Sequence, residues 1–170
     1  MGSLPDGESD RLIDAFSFTA WRDDPGGKLR PVITHPARVF LKEATSGLPY
    51  LLQVACYHIY DRSTRADFPL INKALCRRVI LTKVLREIAE YLEHQWAQIP
   101  DAARKVILDS LAAMPKDPDE FLRFFDRWKG VELDMPPGSF KALDRSGLRG
   151  DDGYCVAPLV AAWLLSNESH

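Results

Sequence analysis

Between Leu48 and Trp96 the apolar residues of this chain recur at spacings of three and four, and no other feature restricts its fold as strongly. Leu48, Leu51, Leu52, Ala55, Cys56 and Ile59 occupy positions i, i+3, i+4, i+7, i+8 and i+11. That spacing lays all six along one stripe of an α-helix, with Gln53, Tyr57 and His58 on the same helix beside it. Leu81, Leu85, Ile88, Leu92 and Trp96 repeat the pattern in a longer segment. A chain of such segments buries its stripes by packing helix on helix, which predicts a mainly α architecture.

Turn and cap residues divide the helices. Thr34 can cap a helix that carries Pro36 in its first turn and stops at Ser46-Gly47, after which Pro49 opens the striped helix. Asn72 is a candidate cap for the longer helix, which runs to about Gln98. At 1.5 Å per residue it would extend about 40 Å and connect two packed units. Pro100 and Asp101 begin a helix over "DAARKVILDSLAAM", Asp117 or Asp119 begins "DEFLRFFDRW", a "PPG" turn precedes the short helix "SFKALDRSGL", and "APLVAAWLLS" closes the chain. Around Asp151-Asp152-Gly153 two short extended pieces flank a D-G dipeptide, the signature of a β-hairpin. Three helices followed by a small hairpin is the order of a winged helix. Residues 1–30 read as a short helix, Leu12 to Phe18 with Trp21, and a loop over "RDDPGGKLRP", the opening Met-Gly-Ser being a cloning remnant. Residues 31–98 then form a helical subdomain, and residues 99–170 a small winged-helix domain joined to it by the long helix.

Composition narrows the function. The chain has 170 residues, 46% of them apolar, and a formal net charge of −2. That is enough apolar material for a substantial core and gives no overall attraction to a polyanion or an anionic membrane. Cys56, Cys76 and Cys155 lack metal spacing and do not form a disulfide framework, which fits a reducing, cytoplasmic setting. No apolar stretch reaches the roughly 18 residues of a membrane span, and no signal peptide follows Met1. No catalytic residue is expected: the acids form no acid/base pair, and no Ser or Cys stands in a nucleophile motif. His35 has no partner at metal spacing. His94 has only Glu90 and Glu93 on a charged face, so no metal site is expected. Gly47 and Pro49 are explained first as a helix stop followed by a helix start.

The Gly-x-Pro turn in "GLPYLLQ" at 47–53, the helix ending in "YLEHQWAQIPDAARKVIL", and the segment "GLRGDDGYCVAPLVAAWL" together resemble the C-terminal part of STAND-type P-loop ATPases, AAA-like signalling enzymes. The resemblance covers residues 31–166. It implies that residues 31–98 are a helical lid, that the lid and winged helix close over ATP or ADP with Mg held by an upstream ATPase core in cis, and that Gly47, Leu48 and Pro49 contact the nucleotide, Pro49 against the adenine. The only Gly-Lys pair, Gly27-Lys28, lacks the other residues of a phosphate loop, and no magnesium-binding Asp ends an apolar strand. The chain itself is therefore expected to be noncatalytic and to hold no cofactor. The resemblance implies protein partners and a nucleotide-dependent conformational switch. Some members carry a Met-His-Asp motif where "VAPLV" stands at 156–160; with no His there, Pro158 reads as the first turn of the closing helix.

A winged helix also raises DNA binding. Lys141, Arg145 and Arg149 recur every four residues and could line one face toward a duplex, as in a transcription regulator. Residues 115–153, however, hold seven Lys or Arg against nine Asp or Glu. That balance argues for a protein-facing or nucleotide-sensing winged helix over a DNA-binding one. A plain protein interaction module is the remaining alternative.

Overall fold

The computed structural model describes residues 2–22, 31–65, 70–131 and 133–168 and is mainly helical. The loop expected over residues 23–30 lies outside the described residues, as do the side chains of Phe18 and Trp21. Helix α1, Asp6–Arg22, is longer than the apolar cluster that announces it. Its start is set by polar groups: the Glu8 and Ser9 amides donate to the Pro5 carbonyl, and Asp6 and Glu8 sit where the helix dipole favours acids.

Helix α2, His35–Ala44, begins as the sequence predicts, with Thr34 Oγ1 accepting from the Ala37 amide at 3.3 Å and Pro36 in the first turn. It ends at a double left-handed turn, Ser46 at φ 50° and Gly47 at φ 62°. Helix α3, Pro49–Arg65, follows at once, and the six stripe residues Leu48 to Ile59 are all buried. Two residues on either side of this helical pair make a sheet that the periodicity could not reveal. Strand β1, Val32–Ile33, runs parallel to β2, Leu70–Ile71, in the register Val32↔Leu70 and Ile33↔Ile71.

The longer segment is helical almost throughout but is not one regular helix. Asn72 caps α4, Lys73–Val79, through a 2.9 Å bond from the Leu75 amide. A π-turn, Ile80–Val84, then leads into α5, Leu85–Glu87, and α6, Ala89–Ala97. In the π-turn the Leu85 amide reaches back to the Ile80 carbonyl, so one extra residue enters the turn. The insertion rephases the stripe: Val79, Ile80, Val84, Leu85 and Ile88 all face the core, while Leu81 is only half-buried.

Helix α7, Asp101–Leu111, buries Ala103, Ile107 and Leu111. Asp117 Oδ1 caps α8, Pro118–Arg123, by accepting from the Asp119 and Glu120 amides at 2.7 and 3.3 Å. After a 3₁₀ turn, Phe125–Trp128, come α9, Ser139–Arg145, and α10, Pro158–Glu168. Every residue from Tyr154 to Leu165 is buried. A helix apolar on all sides belongs at the centre of its surroundings, and α10 packs on α2, α7 and α8.

Two expectations change. The division at residue 98 is no break in packing, because one core runs through both parts. Phe40 of α2 lies 5.7 Å from Phe125, which lies 6.0 Å from Tyr154, and Arg77 Nε donates to Asp119 at 2.7 Å. The D-G hairpin is also absent: residues 148–157 bend without pairing as strands. A two-residue hairpin turn of the D-G kind needs positive φ at both central positions; here Gly153 has φ 89°, but Asp152 does not share it. Tyr154, Cys155 and Val156 are buried in succession, which a strand with one exposed face cannot be. The Ala157 amide instead closes the bend onto the Leu148 carbonyl at 2.8 Å, so the wing of the expected winged helix is a packed loop.

Candidate functional site

The left-handed turn at Ser46-Gly47 forms the floor of a cleft of about 550 Å³. Helix α2 contributes Lys42 and Glu43 to its lining, the N-terminal segment contributes Asp6, and the packed loop contributes Asp151, Asp152 and Tyr154, with Lys129 beside it. Gly47 is held by the Leu4 amide, which donates to its carbonyl at 2.8 Å. A Cβ on Gly47 would stand 3.3 Å from the Leu4 carbonyl oxygen at a φ that side chains avoid, so both conformation and space select glycine. Ser3, expected to belong to a cloning remnant, and Leu4 beside it are thus bonded into the wall: Ser3 Oγ also donates to Asp151 Oδ2 at 3.0 Å.

On its other side the turn meets Gly150. A side chain at Gly150 would overlap the Ser46 carbonyl and come within 2.7 Å of Ser46 Cβ, so the loop touches the turn backbone to backbone. Burial pushes the Asp152 carboxyl above its ordinary value, an effect opposed by the Ser46 hydroxyl, by the Tyr154 amide and by the charge of Lys129. Ser46 Oγ lies near that carboxylate without full hydrogen-bond geometry. Tyr154 is raised by the same burial and by the nearby Glu43, Asp152 and Asp126.

The three residues expected at a nucleotide do not share one surface. Gly47 lines the cleft, Leu48 is 3% exposed and belongs to the core, and Pro49 is half-buried at the start of α3, outside the cleft lining. The cleft is poorly suited to phosphates, since Asp6, Glu43, Asp151 and Asp152 face Lys42 and Lys129.

The proposed DNA-facing row is broken. Lys141 and Arg145 are exposed on α9, but the helix stops there: the Leu148 amide bonds the Leu143 carbonyl at 3.1 Å and Gly147 turns left-handed at φ 67°. Arg149 therefore leaves the helical face. It pairs with Asp144 at 2.9 Å and stacks 4.8 Å from the Phe140 ring. His58 is a half-buried helix residue whose Nε2 lies 3.8 Å from Glu87. Among the described residues no cluster of His, Cys, Asp or Glu could hold a metal ion. Burial pushes the Cys56 and Cys76 thiols up to about 12, so both stay protonated at neutral pH.

Sequence reasoning missed the cleft because its walls come from four separated segments. One signal was legible: Asp6, Asp10 and Asp14 recur every four residues on α1, opposite Arg38 and Lys42 on α2. No helix among the described residues is long and apolar enough to cross a membrane. No family model matches the chain, and neither a curated protein nor a solved structure matches it.

Proposed function

We propose that the chain is a noncatalytic regulatory module, the helical lid and C-terminal part of a STAND- or AAA-like ATPase, that works as a nucleotide-dependent conformational switch. In this reading the ATPase core, in cis, holds ATP or ADP with Mg, and the present residues supply the turn at Gly47 and Pro49 and the surface presented to protein partners. The acidic lining of the cleft leaves phosphate binding to the core.

The observation that supports the reading is the backbone contact of Gly150 on Ser46. It joins the turn that the resemblance assigns to nucleotide contact with the loop leading directly into α10. A shift of the turn by even a fraction of an ångström has to displace that loop, because packed backbone has no slack to absorb it. The pulled loop then acts on α10, the most buried helix, through the Leu148-Ala157 bond.

The test is hydrogen exchange on the full-length gene product with ADP, with ATP and without nucleotide. Amides of Gly47, Leu48 and Tyr50 and of residues 148–157 should change protection together when the nucleotide changes. Change at neither segment, or a gene that encodes no G-x-x-x-x-G-K-[ST] motif, would refute the proposal.

A further inference from the structure

The run from Lys73 to Ala97 is divided by charge. Residues 73–86 contain Lys73, Arg77, Arg78, Lys83 and Arg86 and no acid, whereas residues 87–93 contain Glu87, Glu90 and Glu93 and no base. Part of this charge is used inside the chain. Arg77 pairs with Asp119 at 2.7 Å, the Lys73 ammonium lies 5.6 Å from the Phe40 ring, and Glu87 lies 3.8 Å from His58 Nε2. Lys83, Arg86 and Glu90 are exposed and make no ion pair among the described residues, although Lys83-Glu87 and Arg86-Glu90 have the i,i+4 spacing that would allow one. Arg86 turns back to the Thr82 carbonyl instead.

Lys83, Arg86, Glu87 and Glu90 share the outward face of the run, since Val84, Leu85 and Ile88 between them point into the core. Beside that face α3 exposes Tyr57 at 59% and Tyr50 at 40%. A shallow depression of about 250 Å³ is lined by both tyrosines, Gln53 and Glu87. Exposed tyrosines next to unanswered charges are the composition of an interaction surface, the rings supplying apolar contact and the charges register.

We propose that this face binds a second copy of the chain, the two 83–90 segments lying antiparallel about a twofold axis, with Lys83 against Glu90 and Arg86 against Glu87 of the other copy. The charge order selects this occupant. A polyanion drawn to Arg78, Lys83 and Arg86 meets Glu87, Glu90 and Glu93 within the next two turns, and a basic partner meets the reverse mismatch. A partner that satisfies both halves must carry acids opposite the bases and bases opposite the acids, and the same segment read backwards does so. Both proposed pairs are centred on one point, between Arg86 and Glu87, which is the condition for an isologous contact.

Sedimentation velocity from about 10 μM to about 1 mM, at about 50 mM and about 500 mM salt, tests the pairing. The expected result is a weak dimer at low salt that dissociates at high salt. Lys83→Glu and Glu90→Lys should each weaken association by about tenfold or more, because each places two like-charged contacts across the axis. The double variant K83E/E90K should dimerise again, since its reversed charges are once more complementary. All positions are exposed, and matching melting curves of the variants separate lost association from lost folding. A chain that stays monomeric throughout overturns the proposal. So does a dimer indifferent to both single reversals, a double variant no better than the singles, or binding to a DNA duplex without any self-association.

Discussion

The acids and bases between α1 and α2 answer one another, whereas those from Lys83 to Glu90 do not. Arg38 donates to Asp10 at 3.3 Å and Asp14 at 2.7 Å, and Lys42 lies 3.3 Å from Asp10 and 3.7 Å from Asp6. Two bases four residues apart on one helix thus meet three acids four residues apart on the next, and the matching periods hold the helices in register. The Arg38 and Lys42 side chains are only 22% and 20% exposed, so water screens them incompletely. On the outer face of the π-turn, α5 and α6, Lys83, Arg86 and Glu90 stand in solvent with no ion pair among the described residues. Charge spent inside the fold fixes how helices sit, while charge left unspent adds little to the monomer and is available to another molecule.

The strongest way to break the closed region is at Gly150. Gly150→Ala should lower stability by about 2–4 kcal/mol in urea unfolding, because the new methyl meets the backbone and Cβ of Ser46, and neither can rotate away. Gly7 is the control. It lies in α1 with nothing near its missing Cβ, so Gly7→Ala should be neutral or stabilise by about 0.5–1 kcal/mol. Equal effects at the two glycines would mean that the turn and the loop do not press on each other.

How much of this was legible in the sequence depended on whether the determinant was local. Thr34, Asn72 and Asp117 cap their helices as their residue types predict, because capping involves only the next two or three amides. The stripe from Leu48 to Ile59 is buried as its period requires. The π-turn is not legible, since it brings the i,i+5 pairs Val79–Val84 and Ile80–Leu85 to the core together, a tertiary demand that overrides helix period. The hairpin fails for the same reason: the D-G dipeptide favours a turn, but burial of Tyr154, Cys155 and Val156 against the helices decides the path. At the cleft, Gly47 is legible as punctuation, while Lys129 and Asp152 come to it from distant elements and carry no local mark.

Arg38→Ala sharpens the comparison at its midpoint. It removes one cation from between two carboxylates that are themselves partly exposed, so the expected loss is about 1 kcal/mol, discounted for solvent screening. Raising salt from about 50 mM to about 500 mM should shrink the difference between wild type and variant, because screening already removes part of what the substitution removes. A loss that salt leaves unchanged would assign the role of Arg38 to the packing of its stem on α1.

The smallest effect is expected on the open face, and its smallness is informative. Lys83→Ala and Glu90→Ala should each change the unfolding free energy by less than about 0.5 kcal/mol when measured at a few micromolar, where a weak dimer is dissociated. Alanine costs nothing in helix propensity, and neither side chain has an ion pair to lose among the described residues. A loss above about 1 kcal/mol for either would show that these charges already serve the monomer, and the contrast with Arg38 would vanish. A negligible loss in the monomer, together with weaker association at high concentration, separates the two uses of charge within one chain: what Arg38 contributes is present at any dilution, and what Lys83 contributes appears only when a second molecule is near.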